Sequence, residues 1–392
     1  MNPMHPMNHR KSRAAGFAIA ALGLFGFGSA QADNSPLRIG ILSPSTGVSA
    51  YSGLSFEQAA RQMLEPYVRN GMHGHPVKFT FYDTEGASPK AAQLFNRLID
   101  NDDVHVVIGP VNSGESLGAA PVAAQRKVPM LCVCSAEAIT KPVNPYVFGI
   151  APVDATVTSE LLDVLKSHGI KRAALIYSLD AFGQSGGKML EAKAKDFGID
   201  LVAIETFAPQ DTNMTPQLLK IRDKAPDAIM LWSAANPAPA IIMKTIKELG
   251  IKHQIYLGNA AAFNNFTESA GAAADGAYVT SLPILAPDVL PEGDKRKVIV
   301  SDFVKSFKGR WNTLPEQTAG GAMDAVLILD AAVKQISGQI SRDALRDAIE
   351  KVSMCGAYGC RQFTAEDHRG HGKQPATVLM QIKDSKWVAI RK

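Results

Sequence analysis

Thiols, aromatic rings and net charge are all scarce in this chain, whose 392 residues hold 4 Cys, 7% aromatics and a formal net charge of +4. So few cysteines exclude a small scaffold framed by disulfides. A charge this close to balance gives no long-range field for nucleic acid or anionic lipid. Long apolar runs are missing too. The stretch 14–27 spans 14 residues, whereas a membrane-crossing helix needs about 20, and no later segment approaches that length. Catalytic motifs fail on spacing. Gly183-Gln184-Ser185-Gly186-Gly187-Lys188 lacks the spacing of a phosphate-binding loop, and Met189 stands where its Ser or Thr belongs. Val111-Asn112-Ser113-Gly114-Glu115 is not a nucleophile elbow. His73 and His75 lie in a Gly-rich bend, and His368 and His371 in a polar turn, all read as solvated loops. No metal, cofactor or catalytic residue is read from the sequence, and an enzyme is not expected.

What is present begins with an export signal. Arg10, Lys11 and Arg13 precede the apolar stretch, and Ser29-Ala30-Gln31-Ala32 sets small residues at −3 and −1 before Asp33. This order predicts a secretory leader over 1–32, cleaved after Ala32, with no lipid-anchoring cysteine beside it. The expected mature chain is then near neutral and periplasmic. In that oxidising compartment Cys355 and Cys360 are expected to form a disulfide, because Gly356 and Gly359 let the short loop between them turn. Cys132 and Cys134 lie two apart in an extended apolar run and read as buried thiols.

Apolar runs alternate with amphipathic stretches along the rest. Strands are predicted at 37–42, 77–82, 104–108 and 130–134, with helices over 53–70, 89–101 and from Ser113. The pattern restarts with helices at 154–168, 182–197, 215–224 and 238–249 between strands at 173–177, 201–207, 228–232 and 254–257. Three further helices follow, at 296–308, 317–336 and 341–350, and a terminal hairpin turns at Asp384-Ser385. Strands alternating with helices predict βαβ units, so the fold class is α/β: two lobes, each a doubly wound parallel sheet. Ile150-Ala151-Pro152-Val153 and Ser281-Leu282-Pro283 read as hinges. The expected division is 33–152 plus 283–375 for one lobe and 153–282 plus 376–392 for the other. Ligands bind at the carboxyl ends of strands in such sheets. Asn112 and Ser113 open a helix at one such end, where free N–H groups favour a carboxylate.

These segments resemble the branched-chain amino-acid (leucine/isoleucine/valine) type of periplasmic solute-binding proteins of ABC transporters. The matching residues are Arg38-Ile39-Gly40-Ile41-Leu42, Ala50-Tyr51-Ser52-Gly53, Phe81-Tyr82-Asp83-Thr84-Glu85 and Val106-Val107-Ile108-Gly109-Pro110. Asp180-Ala181-Phe182-Gly183, Tyr256-Leu257-Gly258-Asn259 and Ala322-Met323-Asp324-Ala325-Val326 follow in the same order. The resemblance implies two Rossmann-like lobes joined by a three-strand hinge, with the ligand in the cleft between them. It implies that Ser113 and backbone groups near Cys134 and Ser135 take the ligand carboxylate, and that Tyr51 and Phe182 wall the cleft. Asn112, Trp232, Asn259 and Ala260 complete the expected lining. One departure stands out. Relatives carry an acid after the residue matching Gly258, and here Asn259-Ala260-Ala261-Ala262 carries none. Either Glu137 or Glu115 substitutes, or the ligand has no ammonium group. The expected partners are a small-molecule ligand and the permease and ATPase subunits of the inner membrane, with the protein a monomer. Two other readings stay open at this point, a ligand-presenting sensor for a membrane receptor and a periplasmic amide or ester hydrolase.

Overall fold

A computed structural model describes residues 35–390 apart from 48 and 373; the expected leader lies outside the described residues. The first sheet comes from β1 (Leu37–Ser43), β2 (Val77–Asp83), β3 (Val106–Ile108), β4 (Met130–Cys132) and β5 (Val147–Gly149). They run parallel in the order β2-β1-β3-β4-β5. Helices α1 (Ala50–Asn70), α2 (Ser88–Asp100) and α3 (Ser113–Arg126) make the crossovers.

The chain then crosses at 150–153 and builds a second sheet. Its elements are α4 (Asp154–Ser167), β6 (Arg172–Ser178), α5 (Ala181–Lys193), β7 (Asp200–Phe207), α6 (Thr215–Asp223), β8 (Ala228–Trp232), α7 (Ala238–Glu248), β9 (Gln254–Leu257), α8 (Asn264–Ala270) and β10 (Tyr278–Ser281). Returning after Leu282, it forms α9 (Lys295–Trp311), α10 (Gln317–Val333) and α11 (Arg342–Ile349), then a separate antiparallel pair, β11 (Ser353–Gly356) and β12 (Gly359–Gln362). Last come β13 (Val378–Lys383) and β14 (Lys386–Ala389), which join the second sheet antiparallel beside β10, in the order β14-β13-β10-β9-β8-β6-β7. That sheet is therefore mixed, not wholly parallel. Asp384 and Ser385 both take positive φ, 50° and 56°, as a two-residue hairpin with right-handed strand twist requires.

The central strands of each sheet are buried on both faces because they are largely apolar at successive positions. Leu37, Ile39 and Ile41 of β1 face a core shared with α1, α9, α10 and α11, while Leu42 faces the core beneath α2 and α3. In β6, Ala174 and Ile176 face one side and Ala173, Leu175 and Tyr177 the other. This is the period-two alternation of a strand covered twice.

Glycines set how closely α5 lies on the second sheet. A Cβ on Gly183 would meet the Ser178 carbonyl oxygen at 2.0 Å, and one on Gly186 the Trp232 indole nitrogen at 2.1 Å. The stretch that failed as a phosphate loop is a packing device.

Cys355 and Cys360 pair across β11 and β12, with sulfurs 1.95 Å apart. Cys132 and Cys134 are free and buried. The turn read as solvated is instead interior. His368 is 1% exposed, stacks on Phe148 and hydrogen-bonds Glu350 at 3.0 Å. His371 is held by the Ala151 carbonyl at 2.9 Å, and burial lowers its pKa to about 3. A spacing of polar residues could not show that a crossing strand covers them.

Candidate functional site

Strand order reverses where β1 meets β3 in one sheet, and where β6 meets β8 in the other. A crevice opens beyond the carboxyl ends of strands at such points, because the following helices leave to opposite faces. Tyr51 and Ser113 follow β1 and β3; Phe182 and Trp232 follow or end β6 and β8. α3 and α5 approach each other across the gap, so the edges of the two lobes face one another.

On the first lobe, Asn112 caps α3: its side-chain oxygen accepts from the Glu115 N–H at 2.8 Å, and its amide donates to the Glu115 carboxylate. That cap frees Ser113 to face the loop after β4. The Ser113 hydroxyl oxygen accepts from the N–H groups of Ser135 at 3.4 Å and Ala136 at 3.3 Å. Both contacts are long for such bonds, so these donors are only loosely engaged. Cys134, beside them, is 2% exposed. Arg369 fixes this loop from behind. Its guanidinium donates to the carbonyls of Cys134, Ala136 (2.8 Å) and Ala151 (3.1 Å) and to the Thr140 hydroxyl (2.8 Å). Nothing in the sequence singled out Arg369, since it lies in the turn taken for solvated.

A buried acid on another element stands beside the loop that faces Ser113. Asp154, the first residue of α4, is fully buried, and neither carboxylate oxygen has a hydrogen-bond partner among the described residues. Its N–H donates to the Ser135 carbonyl at 3.2 Å, which sets it against the loop that faces Ser113. Burial raises its pKa to about 6; the nearby Ser185 hydroxyl and Arg369 pull it back, and Glu137 adds to the rise. An unpaired buried carboxylate is costly unless a cation joins it. Sequence reasoning passed over Asp154 because an acid in a first helical turn is an ordinary dipole partner.

The two acids named from sequence sit differently. Glu115 is buried, and one of its oxygens has no hydrogen-bond partner among the described residues. Burial pushes it up to about 7, with the Thr84 hydroxyl opposing and Asp83 adding. It lies against the Asn112 cap rather than the Ser135 loop. Glu137 is half-buried and pairs with Lys141 at 3.8 Å.

The second lobe supplies rings. Phe182 stacks on Trp232 with centroids 5.4 Å apart and planes 14° from parallel. Tyr51 meets Phe263 edge to face at 4.7 Å, and these two rings with Ala260 line a recess of about 10 Å³. Asn259 is buried with its side-chain oxygen unpartnered among the described residues, while its carbonyl accepts from Gln317 at 2.7 Å. Two groups thus emerge. Ser113, Cys134 and Ser135 gather with Asp154, and Tyr51 and Ala260 gather with Phe263.

Known proteins share this plan. The model of a periplasmic binding protein family matches residues 36–386. A Leu/Ile/Val-binding protein homolog of Brucella abortus is 23% identical over 383 residues, covering 94% of this chain and 95% of the other. An extracellular ligand-binding receptor from Rhodopseudomonas palustris superposes with a TM-score of 0.83 at 25% identity, over 91% of this chain and 100% of its own. The branched-chain amino acid transporter substrate-binding protein LivJ of Streptococcus pneumoniae, solved with isoleucine, gives a TM-score of 0.79 at 21% identity, over 91% and 98%. Matched across nearly all of its described length, the chain belongs to the periplasmic binding protein family.

Proposed function

We propose that this protein is the substrate-binding component of an ABC importer and captures a small α-amino acid with an apolar side chain. The observation that carries the reading is Asp154, a fully buried carboxylate beside the Ser135 loop whose two oxygens have no hydrogen-bond partner among the described residues. The ligand carboxylate would take the Ser113 hydroxyl and the Ser135 and Ala136 N–H groups, now loosely paired with each other. Its ammonium would lie against Asp154. Its side chain would rest between Tyr51 and the Phe182–Trp232 stack, where apolar area leaves water at roughly 25 cal/mol per Å². Because each group alone sits on one edge of the cleft, a ligand that touches all of them favours the closed lobes, and its affinity difference between open and closed forms drives closure. Residues 33–152 with 283–375 and 153–282 with 376–392 would be the moving bodies, and the leader over 1–32 would direct export to the periplasm. Names of relatives that bind leucine, isoleucine and valine agree with an apolar side chain.

The test is a pair of ligands. Calorimetry with L-leucine and with 4-methylpentanoate, the same acid lacking its ammonium, should show much tighter binding of leucine. Equal affinities, or preference for the plain acid, would remove Asp154 from the site. The pH profile has a fixed sign. Protonation of Asp154 competes with an ammonium, so leucine affinity should fall as the pH drops through about 6.

A further inference from the structure

The start of α10 reaches across to the other lobe. The Gln317 side-chain amide donates to the Asn259 carbonyl at 2.7 Å and the Ala262 carbonyl at 3.1 Å, and its oxygen accepts from the Leu282 N–H at 3.3 Å. The Glu316 carboxylate accepts from the Asn264 N–H at 3.2 and 3.3 Å. The same helix end is fastened to its own lobe. The Glu316 N–H donates to the Ser55 hydroxyl at 2.9 Å, and the Thr318 hydroxyl to the Ser52 carbonyl at 2.7 Å. The Tyr358 hydroxyl, on the disulfide-closed hairpin, donates to the Gln317 carbonyl at 2.9 Å. One rigid end thus grips the segment 259–264 of the facing lobe, beside the Tyr51–Phe263 ring pair. Both ends of the Gln317 side chain are occupied by protein main chain, so it has little left to offer a ligand.

We propose that Glu316 and Gln317 are positioning residues, a clasp that sets the balance between open and closed lobes and, through it, ligand affinity. The proposal rests on reading the cleft as a ligand site. Side chains of one lobe bonded to main chain of the other can keep those bonds only while the lobes are together. Parting the lobes exchanges each bond for water, at a net loss that is larger where a charge takes part.

The clasp also carries a titratable group. Burial pushes the Glu316 carboxyl up to about 7; the Asn264 N–H opposes the rise and Glu268 of α8 adds to it. Tyr51 of α1 faces the same carboxylate, its hydroxyl raised by burial and then by Glu316. Opening returns the carboxyl to water and its ordinary range. A closed-form pKa above the open-form one makes the contribution to closure complete below the open-form value. It is lost as pH rises through about 7.

Two measurements test the clasp. Spin labels on Val68→Cys and Ile204→Cys, exposed positions of opposite lobes, report lobe separation in the ligand-free chain. Calorimetry with L-leucine reports affinity. Between pH 6 and 8.5 the wild-type closure constant should fall roughly tenfold, and Glu316→Gln, nearly isosteric, should abolish that response. Gln317→Ala should shift the labels toward separation at both pH values and weaken leucine by a similar factor. A Glu316→Gln variant that keeps the wild-type pH response, a wild-type separation that ignores pH, or a Gln317→Ala variant with unchanged separation would each overturn the proposal. Label distances that respond as stated while leucine gives no heat would sink the ligand reading and support the clasp.

Discussion

Two regions of the cleft are built from different chemistry. Ser113 and the 134–136 loop, held from behind by Arg369, meet Asp154 at the start of the other lobe's α4 to form a polar region of donors and a charge. A second region presents the Phe182 ring, stacked on the fully buried Trp232 and backed by a helix pressed close through Gly186. On the proposed function, the difference would divide the labour: a polar region to recognise the head group every α-amino acid shares, and an aromatic region to select among side chains. Substitutions on the first should weaken all ligands alike, and substitutions on the second should re-rank them.

The comparison can be broken most severely at Asp154. Asp154→Ala should cost about 3–5 kcal/mol in leucine binding, the loss seen when one partner of a buried charge pair is removed, and should lift the apo protein's stability above pH 6. That sign follows from burial raising the folded-state pKa to about 6, so the ionised form penalises the folded chain once pH exceeds the unfolded value. Calorimetry and thermal melts at pH 5 and 8 check both halves. Ser113→Ala should cost about 1–3 kcal/mol for every amino acid tested, as for a hydrogen bond to a charged group; a selective loss would place Ser113 on the wrong side of the division. The aromatic region is sharpened by Gly186→Ala. An alanine normally helps a helix, yet here its Cβ would meet the indole at 2.1 Å. Overpacking of about 1–3 kcal/mol should outweigh the propensity gain of at most about 1 kcal/mol. Melting temperature should drop, and the order of leucine, isoleucine and valine should change.

Much of the scaffold was legible because its signals are local. The runs at 173–177 and 228–232 are apolar throughout, and 37–42 is so but for Arg38 and Gly40, as suits strands covered on both faces, and β1, β6 and β8 stand there. Several short pieces were missed: β5 at Val147–Gly149, α8, β10 and the β11–β12 pair. β3 and β4, just as short, were legible because Val106-Val107-Ile108 and Met130-Leu131-Cys132-Val133 are unbroken apolar runs. The missed pieces mix polar or glycine residues into three to seven positions, too few to show a period. The site divides in the same way. Ser113 announced itself as a residue opening a helix after a strand. Asp154 and Arg369 did not, because an acid in a first turn and an arginine in a polar turn have ordinary surface explanations. Only the path of the crossing segments buries them, and that path is a property of the assembled lobes.

Each lobe is finished by chain that comes late. The core under β1 includes Val300, Ala332 and Leu345, more than 250 residues downstream, and the second lobe's core includes Met380 and Ile382. A growing chain therefore holds two unfinished halves with apolar faces uncovered until its last strands emerge. Contacts so distant in sequence are slow to close. Neither half can complete its core until these late segments have joined it, so truncation near the end would strip both halves of part of their interior.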